Sequence, residues 1–324
     1  MPPSLLQPHG RLNPAEALEL AQRAPEILRS NPKAFSASPL QSLFSTPETA
    51  QIWTIYENLM LSCLRAGDDA AAHECLERLM KRFGDEDERI LALRGLAKEA
   101  VASNDDDLEK ILEEYELLLE QNGANIPIHK RKVALLRSMG KVSESITALN
   151  ALLDFNSTDS EAWAELADMY LSLGLYPQAI FALEEVLVLM PDAWNIQARL
   201  GEVLLMAAGS NTDSGALKHL AESLKRFCRS IELCDDYLRG YYGLKLVTDN
   251  ILEDTAYAKK QQEAEGPALP EQATVEELNQ VATKKLAEIV RRFGAREKLW
   301  QGYDAGEIAA ARELLSKSST EVVR

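Results

Sequence analysis

The stretch from Trp163 to Pro191 constrains this chain more than any other. It sets Trp163, Leu166, Ala167 and Tyr170 at helical spacing, then Gly174 and Tyr176, then Ala179 and Leu183, then Pro191. Residues three and four apart share a helix face. Trp163, Leu166 and Tyr170 therefore form an apolar stripe on one helix, and Ala179 with Leu183 forms the facing stripe on a second. Small side chains at 167 and 179 let the two backbones approach. Gly174 can adopt the positive φ that closes a helix, and Pro191 stops the second. A hairpin of this size cannot bury its own apolar stripes, so it needs neighbours of its kind. The chain supplies them in register: Gly140 lies 34 residues before Gly174, Ser145 lies 34 before Ala179, and Leu149 lies 34 before Leu183.

A unit of about 34 residues with W-x2-L-G-x2-Y, then A-x3-F, then P is the signature of the tetratricopeptide repeat. Trp163 to Pro191 holds the expected residue or a close size match at nearly every position. The expected fold is all-α: a tetratricopeptide-repeat α-solenoid, a right-handed superhelix of about five helix hairpins with a C-terminal helical cap. The expected organisation is an N-terminal helix and irregular connector over 1–47, a repeat array over 48–252, a mobile acidic insertion over 253–273 and capping helices over 274–324.

Local signals fill in this plan. Asn13-Pro14-Ala15-Glu16 reads as a helix start with a capping box. In the repeat over 53–86, Tyr56, Leu59, Met60 and Cys63 form one face and Ala72, Leu76 and Leu79 the other, with a turn at Gly67. The repeat over 88–122 is degenerate, with an acidic turn expected at Asn104 to Asp107. After Leu200, Gly201 and Leu204, the matching Ser223, Phe227 and Ser230 come about ten residues late, which predicts an enlarged loop over 207–218. Thr274-x-x-Glu277 reads as a second capping box, opening a helix that buries Val275, Leu278, Val281, Leu286, Ile289 and Val290.

The net charge of −16 argues against a protein that tracks nucleic-acid phosphates, which calls for a basic surface. It also argues against broad adsorption to anionic lipid. Residues 1–10 lack a basic start followed by an apolar core, so no secretory signal is expected. No stretch approaches the roughly 18 apolar residues of a membrane span. Cys63, Cys75, Cys228 and Cys234 form no CxxC pair and suit buried thiols in a reducing compartment.

No catalytic motif is present: no P-loop, no dinucleotide fingerprint, no HExxH and no GxSxG. His9, His73, His129 and His219 are scattered. No enzyme activity, cofactor or metal is expected. What remains is the inner surface that first helices line in such arrays. The candidate partner-binding residues are Lys130, Arg131 and Arg137, then Glu161, Glu165 and Asp168, then Arg199 and Glu202, then Arg239 and Tyr242. Their sign alternates along the chain, which suits an extended partner of mixed charge, since complementary charge fixes register. Ordinary solvated helix faces would look the same. Glu165 and Asp168 stand where carboxylate-clamp proteins carry Lys and Asn, which disfavours capture of a C-terminal carboxylate.

Trp53-Thr54-Ile55-Tyr56-Glu57 precedes the repeats, Lys130-Arg131-Lys132 opens one of them, and Glu161-Ala162-Trp163-x-Glu165-Leu166-Ala167-x-x-Tyr170 leads to Leu183-Glu184-Glu185. In these features, over roughly 45–250, the chain resembles the subunit 2 family of the endoplasmic reticulum membrane protein complex. The resemblance implies a non-catalytic scaffold on the cytosolic face of the endoplasmic reticulum. It implies that the chain supports insertion of tail-anchored and multi-pass membrane proteins and holds cytosolic parts of membrane subunits and a globular cytosolic subunit. The alternative is a soluble adaptor that binds an extended peptide and has no link to membranes.

Overall fold

The computed structural model describes residues 4–6, 13–30, 50–210, 215–253 and 270–321, and among them there is no strand. The helices are α1 Pro14–Ala21, α2 Ala24–Ser30, α3 Ala50–Ala66, α4 Asp69–Phe83, α5 Glu88–Val101, α6 Asp105–Gln121, α7 Ile126–Ser138, α8 Val142–Phe155, α9 Ser160–Ser172, α10 Tyr176–Leu189, α11 Trp194–Ser210, α12 Gly215–Leu233, α13 Leu238–Glu253, α14 Gln272–Gly294 and α15 Ala305–Glu321. A 3₁₀ turn, Lys298–Trp300, precedes α15. The fold is a tetratricopeptide-type α-solenoid, divided into two compact units, residues 1–155 and 156–324.

Polar caps and turn glycines punctuate the helices as the repeat demands. The side chains of Asp68, Asp87, Asn104, Asn125 and Asp159 accept hydrogen bonds from the first free backbone N–H groups of α4, α5, α6, α7 and α9. Gly67, Gly140 and Gly174 turn the chain within three hairpins at φ of 75°, 73° and 70°, where a side chain would be strained. Asn13 and Glu16 form the reciprocal capping box at α1.

In the N-terminal unit, Tyr56, Leu59, Met60 and Cys63 of α3 are fully buried against Ala72, Cys75, Leu76 and Leu79 of α4, with Leu20, Ala21, Ala24 and Leu28 closing the same core. Arg78 ties α2 to this hairpin, donating to the Leu28 carbonyl (2.9 Å) and the Tyr56 hydroxyl (2.6 Å). A second core gathers Ile111, Leu112 and Tyr115 of α6 with Ile128, Leu135 and Leu136 of α7.

In the C-terminal unit, Ala167, Ala179, Ala182, Leu183, Leu200 and Leu204 share one core, and Phe227, Leu244, Val247, Val275, Leu286 and Ile289 belong to another. Serines at the close-approach positions spare the packing an unsatisfied hydroxyl. Ser145 donates to the Val133 carbonyl (3.2 Å), Ser223 to Gly201 (2.8 Å) and Ser230 to Trp194 (2.7 Å).

Five expectations change. The acidic run Asp105–Asp107 is no turn but the first turn of α6, capped by Asn104, because carboxylates are favourable at a helix N-terminus. The enlarged loop over 207–218 is mostly helix: α11 continues through Ser210 with Ala207 and Ala208 buried, and α12 begins at Gly215, so longer helices absorb the extra residues. Thr274 is not a cap; α14 starts at Gln272 after Glu271, with no side-chain cap bond. Val281 is 49% exposed, since it lies one residue, about 100°, off the stripe through Val275, Ala282, Leu286 and Ile289. Trp163 and Tyr170 are half-buried at the edge of their core rather than inside it. The Trp163 indole N–H donates to the Ser157 carbonyl (2.9 Å), and its ring meets Phe181 edge-on at 5.9 Å. The irregular connector expected up to residue 47 and most of the acidic insertion lie within 31–49 and 254–269, outside the described residues.

Candidate functional site: the first-helix faces

Lys130, Arg131 and Arg137 stand on α7 in the N-terminal unit. In the C-terminal unit, Glu161, Glu165 and Asp168 stand on α9, Arg199 and Glu202 on α11, and Arg239 and Tyr242 on α13. Arg137, Glu161, Asp168 and Arg239 are exposed, and the other six are half-buried.

The structure spends several of these charges on neighbouring helices. Arg131 is bidentate on Glu99 of α5, through Nε (3.2 Å) and Nη2, and the Tyr115 hydroxyl donates to the same carboxylate (2.5 Å). A guanidinium fork on a carboxylate is the strong, directional form of ion pair. Tyr115 has room here because Gly95 has no side chain: a Cβ there would meet the Tyr115 hydroxyl at 2.2 Å. Burial, with the Glu99 charge beside it, pushes the Tyr115 hydroxyl well above its usual range.

Arg199 joins Asp168 on α9 (Nη2, 2.9 Å) to Glu202 on its own helix (Nη1, 3.0 Å). Partial burial works against its charge, but the bonds it donates to Asp168 and Glu202 hold its pKa above the ordinary value. Arg239 donates to Glu307 of α15 (2.6 Å), which raises its pKa in the same way. Tyr242 packs against the core of the C-terminal unit.

The acids Glu99 and Glu307 were not among the candidates, yet a signal for Glu99 exists. Glu99 precedes Arg131 by 32 residues and Asp168 precedes Arg199 by 31. An acid and a base one repeat apart on successive first helices are set side by side by the stacking itself. Lys141 with Glu109, also 32 apart, repeats the device outside the first helices.

The C-terminal end carries a second polar cluster that the sequence pattern does not announce. Lys285 of α14 donates to Asp235 (3.0 Å) and Asp236 (2.9 Å) in the turn before α13. The Tyr241 and Tyr303 hydroxyls donate to the Asp235 carboxylate (3.0 Å) and the Asp236 carbonyl (2.8 Å). Bonds from Lys285 and Tyr241 hold Asp235 below the usual carboxylate range, and burial with Asp235 beside it pushes Tyr241 up to about 12. Lys245, 2% exposed, pairs with Asp249, which also accepts from Asn279 of α14 (2.7 Å).

The cysteines are free thiols, Cys63 and Cys75 buried and Cys228 and Cys234 half-buried. Burial pushes Cys63 and Cys228 up to about 11 and Cys75 to about 12, so all three stay protonated and unreactive near neutral pH. Among the described residues no group of three or more His, Cys, Asp or Glu side chains could hold a metal ion, and no helix is long and apolar enough to cross a membrane.

Capped helix hairpins in a 34-residue register, with small residues at the crossings and glycines at positive φ in the turns, define a tetratricopeptide-repeat protein. The family model described as the EMC2 TPR-like repeat domain matches residues 66–218. The chain is 35% identical over 240 residues to the TPR repeat protein oca3 of Schizosaccharomyces pombe, covering 72% of this chain and 82% of that one. It is 32% identical over 209 residues to ER membrane protein complex subunit 2-A of Xenopus laevis, covering 64% of this chain and 66% of the relative. Among solved structures, the C-terminal part of a TPR repeat-containing protein from Cytophaga hutchinsonii superposes with a TM-score of 0.49 at 11% identity, covering 84% of this chain and 93% of that one. The chain belongs to the ER membrane protein complex subunit 2 family.

Proposed function

We propose that this chain is a non-catalytic scaffold subunit of an ER membrane protein complex, seated on the cytosolic face of the endoplasmic reticulum membrane, where it supports insertion of tail-anchored and multi-pass proteins. The observation that carries this reading is the similarity to relatives named as subunit 2 of that complex in Xenopus and Dictyostelium. Its partners are the cytosolic parts of membrane-embedded subunits and a globular cytosolic subunit.

The surface is consistent with a chain that works in company. Leu173, Phe181, Val188, Met190 and Trp194 are all 43–74% exposed around the α9–α11 hairpins. Apolar side chains left uncovered in one region mark interaction surfaces more often than scattered ones do. The proposed partner contacts are the first-helix residues Lys130, Arg131 and Arg137 in the N-terminal unit, and Glu161, Glu165, Asp168, Arg199, Glu202, Arg239 and Tyr242 in the C-terminal unit. Arg131 and Arg199 also brace neighbouring helices through Glu99 and Asp168.

Microsomes from cells lacking the chain should insert a tail-anchored client severalfold less than wild-type microsomes, with recovery on re-expression. Glycosylation of a lumenal acceptor site on the client reads the yield. Unchanged insertion across several clients of low hydrophobicity would contradict the proposal.

A further inference from the structure

The turn that joins α14 to α15 breaks with the acidic character of the chain. Arg291, Arg296 and Lys298 fall within eight residues, all exposed, and none has an ion-pair partner among the described residues. Arg312 of α15, exposed and likewise unpaired, reaches the same place: a methyl on Gly294 would lie 3.5 Å from its Nη2. The nearby acids are already committed, since Arg292 takes both Glu288 (2.7 Å) and Glu297 (3.5 Å).

At the tip of this turn Leu299 is 93% exposed, more than any other large apolar side chain among the described residues. The turn is built to hold it there. Trp300 is gripped by Arg292 (4.7 Å from the ring centroid), lies near Lys285 (6.0 Å) and stacks on Tyr303 (6.4 Å). The Gln301 amide donates to the Phe293 carbonyl (3.3 Å). With its neighbour fixed inward in a tight 3₁₀ turn, Leu299 has no route to the core.

We propose that this turn docks the chain on an anionic lipid surface, with Leu299 entering the apolar boundary and Arg291, Arg296, Lys298 and Arg312 meeting the headgroups. A protruding apolar residue needs something that yields to it. The four cations come from α14, α15 and the turn between them and are exposed, and a fluid layer of anionic headgroups can meet each of them separately. The chain's charge of −16 does not forbid this, because at physiological salt charges farther than about 8 Å are largely screened. Docking of this turn on lipid requires no other subunit and so does not depend on membership in a complex.

The test is sedimentation of the full chain with vesicles of phosphatidylcholine alone or mixed with phosphatidylserine. The expected result is binding to the anionic vesicles only, weakened by added salt. Binding should fall about fivefold for each cation neutralised in the series Arg291→Gln, Arg296→Gln and Lys298→Gln, and fall also with Leu299→Ser. Arg65→Gln with Lys81→Gln, exposed cations of the other unit, should bind as wild type. Circular-dichroism melts confirm that each variant is folded, and Leu299→Ser, at a solvated position, keeps the test open if a charge variant is not. Failure of the wild type to sediment with anionic vesicles, equal loss in the control, or undiminished binding by the folded variants would overturn the proposal. So would retention on immobilised polyglutamate with none on vesicles, which would assign the turn to an acidic protein partner.

Discussion

Phe227→Ala is expected to destabilise the C-terminal unit by about 3–5 kcal/mol, the usual cost of emptying a fully buried aromatic site. Phe227 is 0% exposed and sits on α12 with a glycine of a neighbouring helix on either side. A Cβ on Gly201 of α11 would lie 3.0 Å from its ring, and one on Gly243 of α13 would lie 2.0 Å away. The ring thus fills space that two glycines vacate for it. The reciprocal change, Gly243→Ala, should cost about 1–3 kcal/mol by overpacking. Urea unfolding of both variants checks the pair. Losses within error of zero would show that the ring is not the joint between these helices.

Arg131→Ala should cost about 2–3 kcal/mol, in the range for charge-assisted hydrogen bonds, because it strands Glu99. The Glu99 side chain is only 12% exposed, against 25% for Arg131, so the carboxylate would keep the Tyr115 hydroxyl as its remaining partner in this cluster. Arg131→Lys keeps the charge but not the fork and should recover only part of the loss. A double-mutant cycle with Glu99→Gln isolates the pair. Full additivity in that cycle would contradict the network. So would a wild-type midpoint for Arg131→Ala accompanied by lost partner capture, which would make Arg131 a partner contact alone.

The repeat plan was legible because it is written in period and in turn chemistry. Gly140 and Gly174 do adopt positive φ, Asn13 does cap α1, and Leu149, Leu183 and Ala179 are buried. Where the reading departed, tertiary context overrode local pattern. The Asp105–Asp107 run looks like solvated loop until the helix dipole is taken into account. Ala207 and Ala208 stood at the start of the expected loop over 207–218, yet both are buried within α11. Trp163 matched a signature position, but its indole N–H must reach an acceptor, and the Ser157 carbonyl it finds is at the edge of the core.

The candidate face was legible as positions, not as partners. Asp168 and Arg199 were legible as charges on successive first helices, but their bond to each other at 2.9 Å shows only when the 31-residue spacing is read as one repeat. Alternating charge along such an array is therefore not by itself a partner code. Part of it fastens neighbouring repeats together, as Arg131 with Glu99 and Arg199 with Asp168 do. Net charge misleads in the same way: an average of −16 conceals the basic turn around Leu299.

The central claim is membership in a membrane-bound assembly. Its most direct test is purification of the tagged full chain from membranes solubilised in mild detergent, followed by gel filtration and mass spectrometry. The account predicts one large species in which several membrane-spanning proteins and a globular soluble protein accompany the chain at fixed stoichiometry. Recovery of the chain in the soluble fraction, alone or with soluble partners only, would contradict it.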